Sequence, residues 1–527
     1  MKPGGAGAAP RYNRPAVAWD YDVIIAGAGS AGCVLAARIS EDPRIRVLLM
    51  ESGPDYENLE SLPEDLRNVN HGSFYDHDWA LNYTPSPTSR TLPFARGRVV
   101  GGSSAVNTAI ALRGVPDDYD EWARLGNGEW SWQKVLPYFM RLETEVDFPD
   151  APYHGNRGPL PIRRHTMEEL VPFQAAFLDA CAEIGEKRGY VRCADHNDPA
   201  STGYGPHPMN KRGALRISTA IAYLAAARAR PNLTVRANTD IRRVVFEGEA
   251  VAGVEVRAEG AIETLAAPGV VLACGAVHSP VVLVRSGIGP QDVLERLGVN
   301  IVQRREGVGQ HLQDHPAIGP TLYPKEGVAG WEQPVIQTTM RYTASGSEDW
   351  NDMQLEPLSF MHQPGGRLLM GIAACVFKSY SCGRLEFQSA NIDAQPGLQM
   401  NYLSDERDYE KLLDGLRRAL ELCETRAITD VSDGIRRPAG AELRDPAALE
   451  AWVRRNVSTG AHPTGTCRMG PADDETAVVD ERGLVHGLKG LRVADASVMP
   501  EIPRANTNVP AIMIAERIGE WVREEHG

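Results

Sequence analysis

Three segments of this 527-residue chain contain residue types that could do chemistry. Near the carboxyl end, His462 lies in the segment HPTGTCRMG and Asn508 lies in the segment NTNVP. Imidazole exchanges protons near neutral pH, and an amide donates and accepts hydrogen bonds while it stays uncharged. Near the amino end, the segment DVIIAGAGSAG has the GxGxxG spacing of a dinucleotide-binding turn. We therefore expect an enzyme built around a dinucleotide.

The glycine segment has the surroundings that a dinucleotide site requires. Residues 22–26, which are apolar after Asp22, predict a short buried strand that runs into the turn. Gly27 allows a tight turn, Gly29 lets the backbone approach a pyrophosphate, and Gly32 lets helix and strand pack closely. An isolated GxGxxG is weak evidence, because glycines cluster in ordinary turns.

The elements that follow the glycine turn strengthen the prediction. Residues 33–40 predict a helix, and phosphates bind at such a helix start, near Ser30 and Ala31. A second apolar strand, 47–50, ends in Glu51, where a carboxylate would meet the adenosine ribose hydroxyls. Strand, helix and acid together predict a dinucleotide site.

Composition limits the classes of partner. The chain has 55 Lys and Arg against 69 Asp and Glu, a formal net charge of −14, which argues against nucleic acid and anionic membrane surfaces. No apolar run approaches the roughly 20 residues of a membrane span. Residues 1–20 begin with a Gly-, Ala- and Pro-rich stretch, and we expect a disordered tail there. The eight scattered cysteines are typical of reduced thiols, which predicts a cytoplasmic location.

The order of motifs resembles one known family, the glucose-methanol-choline (GMC) flavin oxidoreductases. Besides the glycine turn, residues 96–107 (RGRVVGGSSAVN) look like its first signature, and residues 275–289 look like its second. The segments around His462 and Asn508 look like its active-site pair. Residues 309–316 (GQHLQDHP) resemble a structural motif near the domain boundary, and the i, i+4 spacing of His311 and His315 is poor evidence for a metal, so we expect none.

The resemblance implies FAD as the cofactor. In the family, segment 96–107 passes the reactive edge of the flavin, and a strand near Val244 meets the adenine. Some relatives have a histidine at the place of Val106 that bonds covalently to the flavin, so valine implies non-covalent FAD here. The positions that the resemblance assigns to the cofactor, beyond the glycine turn, are Arg98, Gly101, Gly102, Ser103, Asn107, Val244, Asp495, Ala496 and Asn506.

The resemblance also implies a reaction, the oxidation of an alcohol. His462 would take the hydroxyl proton, flavin N5 would accept the hydride, and Asn508 would hydrogen-bond the alkoxide. Asn506 competes for this last role, and the register counted from the following helix favours Asn508. Asn508 also has the type and place of a helix cap, which is compatible with catalysis.

The substrate is the least determined part. Gly460 and Ala461 are small where several relatives have bulky side chains, which predicts a larger pocket for bulky or aryl primary alcohols. Glu356 could recognise the ammonium of a choline-type substrate, although an ordinary exposed glutamate is the simpler reading. Oxygen or another acceptor would reoxidise the flavin. A flavin-containing lyase, a non-catalytic flavoprotein and an NAD-dependent dehydrogenase remain alternatives.

The fold that the resemblance and the chain length predict is α/β. We expect a Rossmann-type FAD-binding domain interleaved with an α+β substrate domain built on an antiparallel sheet. The irregular stretch around Trp79 and Tyr83 predicts a loop outside the core. The predicted FAD-binding domain comprises residues 21–160, 212–316 and 456–527, and the predicted substrate domain comprises residues 161–211 and 317–455.

Overall fold

A five-stranded parallel sheet forms the first half of the core. The computed structural model describes residues 19–73, 75–361 and 367–526, so nearly all of the predicted tail lies outside the described residues. Every pairing in this sheet is parallel, and its central strands are buried and apolar, as expected when helices cover both faces. In spatial order its strands are Leu233–Arg236, Val47–Met50, Val23–Ala26, Gly269–Leu272 and Leu491–Val493.

Helices from both ends of the chain cover this sheet. The predicted helix after the glycine turn is observed as Ser30–Ile39, and the predicted last helix as Asn508–His526. The two helices pack against each other, and a third helix, Gly275–Arg285, follows the fourth strand. A Cβ on Gly32 would lie 1.8 Å from the carbonyl oxygen of Gly27, so only glycine allows this helix to pack so closely.

An antiparallel sheet forms the other half of the core. Along its main path the strands are Ser432–Arg437, Thr321–Pro324, Leu369–Val376, Met353–Met361, Thr338–Tyr342 and Gly203–Pro206. The short strands Pro316–Ile318 and Ser458–Thr459 extend it. The helices Pro172–Arg188 and Glu406–Cys423 pack against this sheet.

Smaller elements complete the fold. A three-stranded antiparallel sheet consists of Thr239–Glu247, Ala250–Ala258 and Ala261–Ala266. A four-stranded sheet consists of Arg384–Glu386, Gly397–Gln399, Leu81–Thr84 and Leu92–Phe94. The remaining α-helices are Glu64–Arg67, Ser103–Val106, Pro116–Arg124, Trp132–Leu142, Ala225–Ala227, Gln291–Leu297, Arg426–Thr429, Ala441–Arg444 and Pro446–Asn456. The remaining short strands are Glu143–Glu145, Leu160–Ile162, Lys211–Arg212, Leu215–Arg216, Ile288–Gly289 and Gln303–Arg304.

The loop expected around Trp79 and Tyr83 is wrong for Tyr83. This residue lies in the strand Leu81–Thr84, is 2% exposed and packs edge-on against Phe94. Its strand is too short for a periodic pattern, and its core contacts come from strands distant in sequence.

The strands of the parallel sheet lie in the predicted FAD-binding segments, and most strands of the antiparallel sheet lie in the predicted substrate segments. The predicted boundary at 316/317 falls within the strand Pro316–Ile318, and Ser458–Thr459 pairs with the antiparallel sheet although it begins the third predicted FAD-binding segment. The exact division into domains stays a prediction. Within the described ranges, no helix has both the length and the apolar character needed to cross a membrane.

Candidate active site

A cavity of about 380 Å³ opens where the parallel strands end. Residues that follow four of the five strands within two positions line it, at the edge where ligands bind in such sheets. The opposite wall comes from the antiparallel sheet. The predicted site residues that line the cavity are Gly27, Gly29, Ser30, Ala31, Glu51, Gly102, Ser103, Asn107, His462, Asp495, Ala496, Asn506 and Asn508.

Three predicted cofactor residues, Gly32, Gly101 and Arg98, do not line the cavity but contact segments near it. Gly32 lies in the helix–strand contact described above. Gly101 has φ +102° and donates its N–H to the carbonyl of Ala28 over 2.7 Å, which holds its segment against the glycine turn. The guanidinium of Arg98 lies 5.0 Å from the ring centre of Trp79, itself a wall residue.

The strand predicted to meet the adenine lines the cavity, but not at Val244. Val244 is 1% exposed, and its N–H donates to the Ser286 hydroxyl over 2.8 Å, so its backbone is already bonded within the protein. The same strand, Thr239–Glu247, contributes Asp240 and Ile241 to the cavity wall instead. Val244 therefore does not line this cavity, and a contact of its backbone with the adenine stays a prediction.

The glycine turn and Glu51 form a cradle in which no side chain of the turn would block a dinucleotide. Gly102 has φ +51°, and a Cβ there would meet the Cα of Gly29 at 2.6 Å, so two backbones lie in direct contact. Glu51 accepts N–H bonds from Ala28 at 3.0 Å and Gly53 at 2.9 Å. Burial raises the pKa of Glu51 to about 7, and a ribose hydroxyl donating to it would favour the ionised form.

Asp495 joins the ends of two strands. One carboxylate oxygen accepts from the Gly275 N–H at 2.8 Å and the Ser279 hydroxyl at 2.6 Å, and the other accepts from the Ser497 N–H at 2.8 Å. Both carboxylate oxygens therefore have hydroxyl or amide donors within the protein. Burial still raises its pKa, because these donors only partly offset desolvation.

Asn506, rather than Asn508, is the asparagine that contacts His462. The amide Nδ2 of Asn506 lies 3.0 Å from Nε2 of His462. Asn508 begins the last helix, and its Oδ1 accepts a hydrogen bond from the Ser30 hydroxyl over 2.9 Å. The predicted pairing of Asn508 with His462 is therefore not observed. The reason is local: Asn506 lies in the extended turn before the helix, where its side chain points toward His462.

A second histidine contacts the other side of His462. The Nδ1 atoms of His315 and His462 are 3.0 Å apart, and the His315 ring stacks on Phe377 with ring centres 4.3 Å apart. With its proton on Nδ1, His462 donates to His315 and accepts from Asn506 at Nε2. His311 lies elsewhere, since its Nε2 is 2.9 Å from the carbonyl oxygen of Pro500. The two histidines of the 309–316 motif therefore do not form a joint metal site.

One buried carboxylate holds the loop that contains His462. Asp314 accepts from the N–H of His462 at 2.6 Å and the N–H of His315 at 2.8 Å. Its second oxygen accepts from the hydroxyls of Tyr402, at 2.5 Å, and Thr459. Burial nevertheless raises the pKa of Asp314. The motif that sequence reasoning treated as structural thus positions the predicted base.

Arg96 clamps the residue just before the histidine. Ala461 has φ +65°, a left-handed conformation that is uncommon for alanine. The Arg96 guanidinium donates to its carbonyl oxygen over 2.6 Å, and the Ala461 N–H donates to the Thr459 hydroxyl over 2.7 Å. Burial lowers the pKa of Arg96 to about 10.

The electrostatics of the site favour neutral imidazole at His462. Burial, the neighbouring His315 ring and the Arg96 charge together hold the pKa of His462 well below its usual value. A neutral imidazole has a free electron pair that can accept a proton. The site can therefore act as a base without first losing a proton.

The residues present fit a flavin dinucleotide. The cavity combines a side-chain-free glycine cradle with two buried amide atoms, Asn506 Oδ1 and Asn508 Nδ2, that have no hydrogen-bond partner among the described residues. Buried polar atoms are rarely left unpaired, so these two atoms are suited to hydrogen-bond a ligand. The wall also contains Val106, which has no atom able to bond covalently to a cofactor.

Several wall residues carried no sequence signal of their own. Arg96 lies at the start of segment 96–107 without a predicted role of its own. His315, which contacts the wall residue His462 but does not line the cavity, was predicted only as part of a structural motif. Among the described residues, one group has metal-binding proximity, namely Glu143, Glu145 and His154, and its carboxylates already pair with Arg113 and Arg164. The other wall residues that sequence reasoning missed include Trp79, Asp240, Ile241, Cys375 and Phe377.

Comparison with known proteins gives matches along nearly the whole chain. Two family models, both described as GMC oxidoreductase, match residues 21–317 and 379–515. A 5-(hydroxymethyl)furfural oxidase from Methylovorus sp. is 35% identical, with 95% of this chain and 98% of that protein covered. Oxygen-dependent choline dehydrogenase 1 from Chromohalobacter salexigens is 36% identical, with 96% and 95% covered. The crystal structure of pyridoxine 4-oxidase from Mesorbium loti has a TM-score of 0.88 and 28% identity, with 96% and 99% covered.

Proposed function

The chain belongs to the GMC oxidoreductase family and is an FAD-dependent enzyme that oxidises alcohols, and we propose that its substrate is a bulky or aryl primary alcohol, converted to the aldehyde. His462 acts as the base and Asn506 as its hydrogen-bonding partner. The observation that carries this assignment is the 3.0 Å contact between Asn506 Nδ2 and His462 Nε2 in the wall of the cavity.

The proposed proton transfer follows from that contact. A substrate hydroxyl that enters between the two side chains replaces this direct contact, donates its hydrogen to His462 Nε2 and accepts from Asn506 Nδ2. As the proton moves to the imidazole, the amide stabilises the charge on the alkoxide oxygen. When bound, FAD supplies the acceptor for the hydride that leaves the carbinol carbon, which completes the two-electron oxidation.

Three groups keep His462 ready for this step. The Asp314 carboxylate fixes the backbone of His462, and the Arg96 guanidinium fixes the preceding peptide. His315 contacts Nδ1, which directs the lone pair of Nε2 toward Asn506 and the cavity. Positioned acid–base groups accelerate reactions by about 10²–10⁴-fold.

The proposed substrate class rests on small residues beside the base. Gly460 and Ala461 line the cavity next to His462 with little or no side chain, although a Cβ on Gly460 would point at His315, 3.0 Å from its carbonyl oxygen. Ile110, Ile336 and Phe377 provide an apolar wall. An aromatic ring packs well against such a surface. The similarity to a 5-(hydroxymethyl)furfural oxidase supports the same class of alcohol.

Two further proposals concern how FAD is bound and where in the cell the protein is located. Val106 at the cavity supports non-covalent FAD, which should be released by acid or heat denaturation with an unmodified mass. All eight cysteines are unpaired, which supports the cytoplasmic location. Oxygen or another acceptor completes the cycle.

The test is anaerobic flavin bleaching. The purified holoenzyme is mixed in turn with benzyl alcohol, hydroxymethylfurfural, choline and a sugar, and air is then admitted. We expect bleaching with an aryl or furan alcohol, and the speed of recovery in air separates an oxidase from a dehydrogenase. A protein that retains flavin but is bleached by no alcohol would contradict the proposal and favour a lyase.

A matched variant tests the base. His462→Ala should lower the rate of flavin reduction by about 10²–10⁴-fold, because the hydroxyl proton then has no positioned acceptor. His486→Ala is the control, since His486 hydrogen-bonds the carbonyl of Gly470 and does not line the cavity. Equal rates of flavin reduction in the parent and in His462→Ala would remove the assignment.

A further inference from the structure

Glu356 is an acidic side chain in the substrate half of the cavity. It lies in the strand Met353–Met361 and lines the same cavity as His462. Side chains alternate between the faces of a strand, so the neighbouring Leu355, which is fully buried, points to the opposite face. The register places Glu356 opposite Ala373 of the adjacent strand. The glutamate therefore faces the cavity rather than solvent, contrary to the simpler reading of the sequence.

The adjacent strand relates Glu356 to the catalytic end of the cavity. Phe377 packs against His462, with ring centres 6.2 Å apart. Cys375 is two residues earlier in the chain, lines the cavity, and pairs in register with Gln354, two residues before Glu356. A substrate that extends from His462 past Phe377 and Cys375 reaches Glu356 with its far end.

Glu356 has no cationic partner among the residues that the structure describes. Its hydrogen-bond donor is the Gln354 amide, and the nearest basic side chain is His207, whose Nε2 is 3.8 Å away. Burial holds the pKa of His207 well below its usual value, so this imidazole is neutral. Both of its ring nitrogens lack hydrogen-bond partners within the described ranges.

The ionisation of a buried carboxyl such as Glu356 depends on the group placed against it. Burial raises the pKa of Glu356 to about 7, since the Gln354 donor offsets only part of the desolvation. A cation placed against the carboxyl restores the ionised form and provides the missing partner. An apolar group in the same place leaves the carboxyl unsatisfied.

From this geometry we propose that Glu356 anchors an ammonium group on the far end of the alcohol substrate. The inference rests on the proposed function and specifies its substrate as an alcohol that carries a positive charge remote from the carbinol. The neutral, apolar part of the substrate then lies along Phe377 and Cys375, between the anchor and the base. Glu356 is a specificity residue and takes no part in proton transfer.

The test compares two alcohols of equal shape. One is benzyl alcohol with a para trimethylammoniomethyl group, and the other has a para neopentyl group, which replaces nitrogen with carbon and removes the charge. For the parent holoenzyme we expect kcat/KM for the cationic alcohol to exceed that for the neutral one by at least about tenfold. Equal values, or a preference for the neutral alcohol, would overturn the proposal.

Variants assign the preference to one residue. Glu356→Gln should lower kcat/KM for the cationic alcohol by about 10–100-fold and leave the neutral alcohol within about threefold. Glu348→Gln removes an exposed carboxylate of the same charge and should change neither value. An equal loss for both alcohols in Glu356→Gln would contradict the anchor. Flavin content and thermal unfolding of each variant show that it is folded, and Glu356→Asp, which keeps the charge, should regain part of the preference.

A binding measurement separates this proposal from the proposed function. Benzyltrimethylammonium has no hydroxyl, so its binding is followed as a perturbation of the flavin spectrum without turnover. We expect saturable binding to the parent that is weakened at least about tenfold in Glu356→Gln. Binding that depends on Glu356, without bleaching by any alcohol, would contradict the alcohol oxidation and leave the anchor in place. Bleaching by neutral alcohols together with equal binding to both proteins would contradict only the anchor.

Discussion

The imidazole of His462 is surrounded by groups that disfavour its protonation. Burial desolvates the ring, His315 contacts one ring nitrogen, and the Arg96 charge is nearby. A depressed pKa keeps the base form available at and below neutral pH. The same arrangement raises the energy of the imidazolium that forms during the reaction, and negative charge on the reduced cofactor would offset it.

The first prediction concerns pH. Because the pKa of His462 is lowered, its base form persists below pH 6.5, and flavin reduction should fall only as the pH drops through that lowered value. Arg96→Met removes a positive charge and should move this acidic limb to higher pH. Arg96→Lys keeps the charge and should retain the parent limb. The measurement is the pH profile of anaerobic flavin reduction, and an unchanged profile in Arg96→Met would contradict the electrostatic role.

The two asparagines should have separable effects. Asn506→Ala should lower the rate of flavin reduction by about 10²–10³-fold with FAD retained, as expected for loss of a donor to the alkoxide. Asn508→Ala removes the partner of Ser30 and should weaken FAD retention more than the rate of the flavin-loaded fraction. Stopped-flow reduction and the flavin-to-protein ratio check the two effects. The reverse pattern would restore the assignment predicted from the sequence.

At the scale of elements, the contact between the first helix and the first strand determines whether a dinucleotide can bind. Gly32 lies on the helix Ser30–Ile39 against the carbonyl of Gly27, and this contact brings the helix start to the cavity. The phosphate-binding geometry thus depends on one missing methyl group.

Gly32→Ala should therefore abolish FAD binding or folding. Its Cβ would lie 1.8 Å from a backbone oxygen, and neither backbone can move without separating helix from strand. Gly128→Ala is the control, since a Cβ there meets no atom within 4 Å and should change stability by about 0.5 kcal/mol or less. Bound flavin and the unfolding temperature check both variants. A Gly32→Ala protein with the parent flavin content would contradict the packing argument.

At the scale of the whole molecule, the two ends of the chain join in one domain. Glu516 of the last helix is fully buried and accepts two hydrogen bonds of 2.8 Å from Arg38 of the first helix. The Tyr223 hydroxyl donates to the same carboxylate over 2.7 Å. The first and last helices of the described chain are therefore joined by a buried, hydrogen-bonded ion pair.

Removing this link should destabilise the enzyme. Glu516→Gln breaks a buried ion pair and should lower the free energy of unfolding by about 3 kcal/mol. Glu520→Gln breaks the partly exposed pair with Arg141 and should lower it by about 1 kcal/mol or less. Urea unfolding at saturating FAD measures both, and an equal effect of the two changes would contradict the importance of the buried link.

The sequence alone determined the parts of this protein that depend on local spacing. The glycine turn, the strands before and after it, Glu51 and His462 were predicted at the positions where the structure has them, because turns, strands and helices follow the pattern of neighbouring residues. The order of the motifs was sufficient to predict the family and FAD.

Only the tertiary structure decided which side chains meet. Asn506 and Asn508 are two residues apart, and the start of the last helix determines which one points to His462. Ile241 rather than Val244 reaches the cavity because the strand's other contacts fix its register. His315 directly precedes the strand Pro316–Ile318 and Glu356 lies in the strand Met353–Met361, so the antiparallel sheet brings both of them to the site. Contacts between residues more than a hundred positions apart depend on how whole sheets pack, and no local pattern in the sequence encodes that packing.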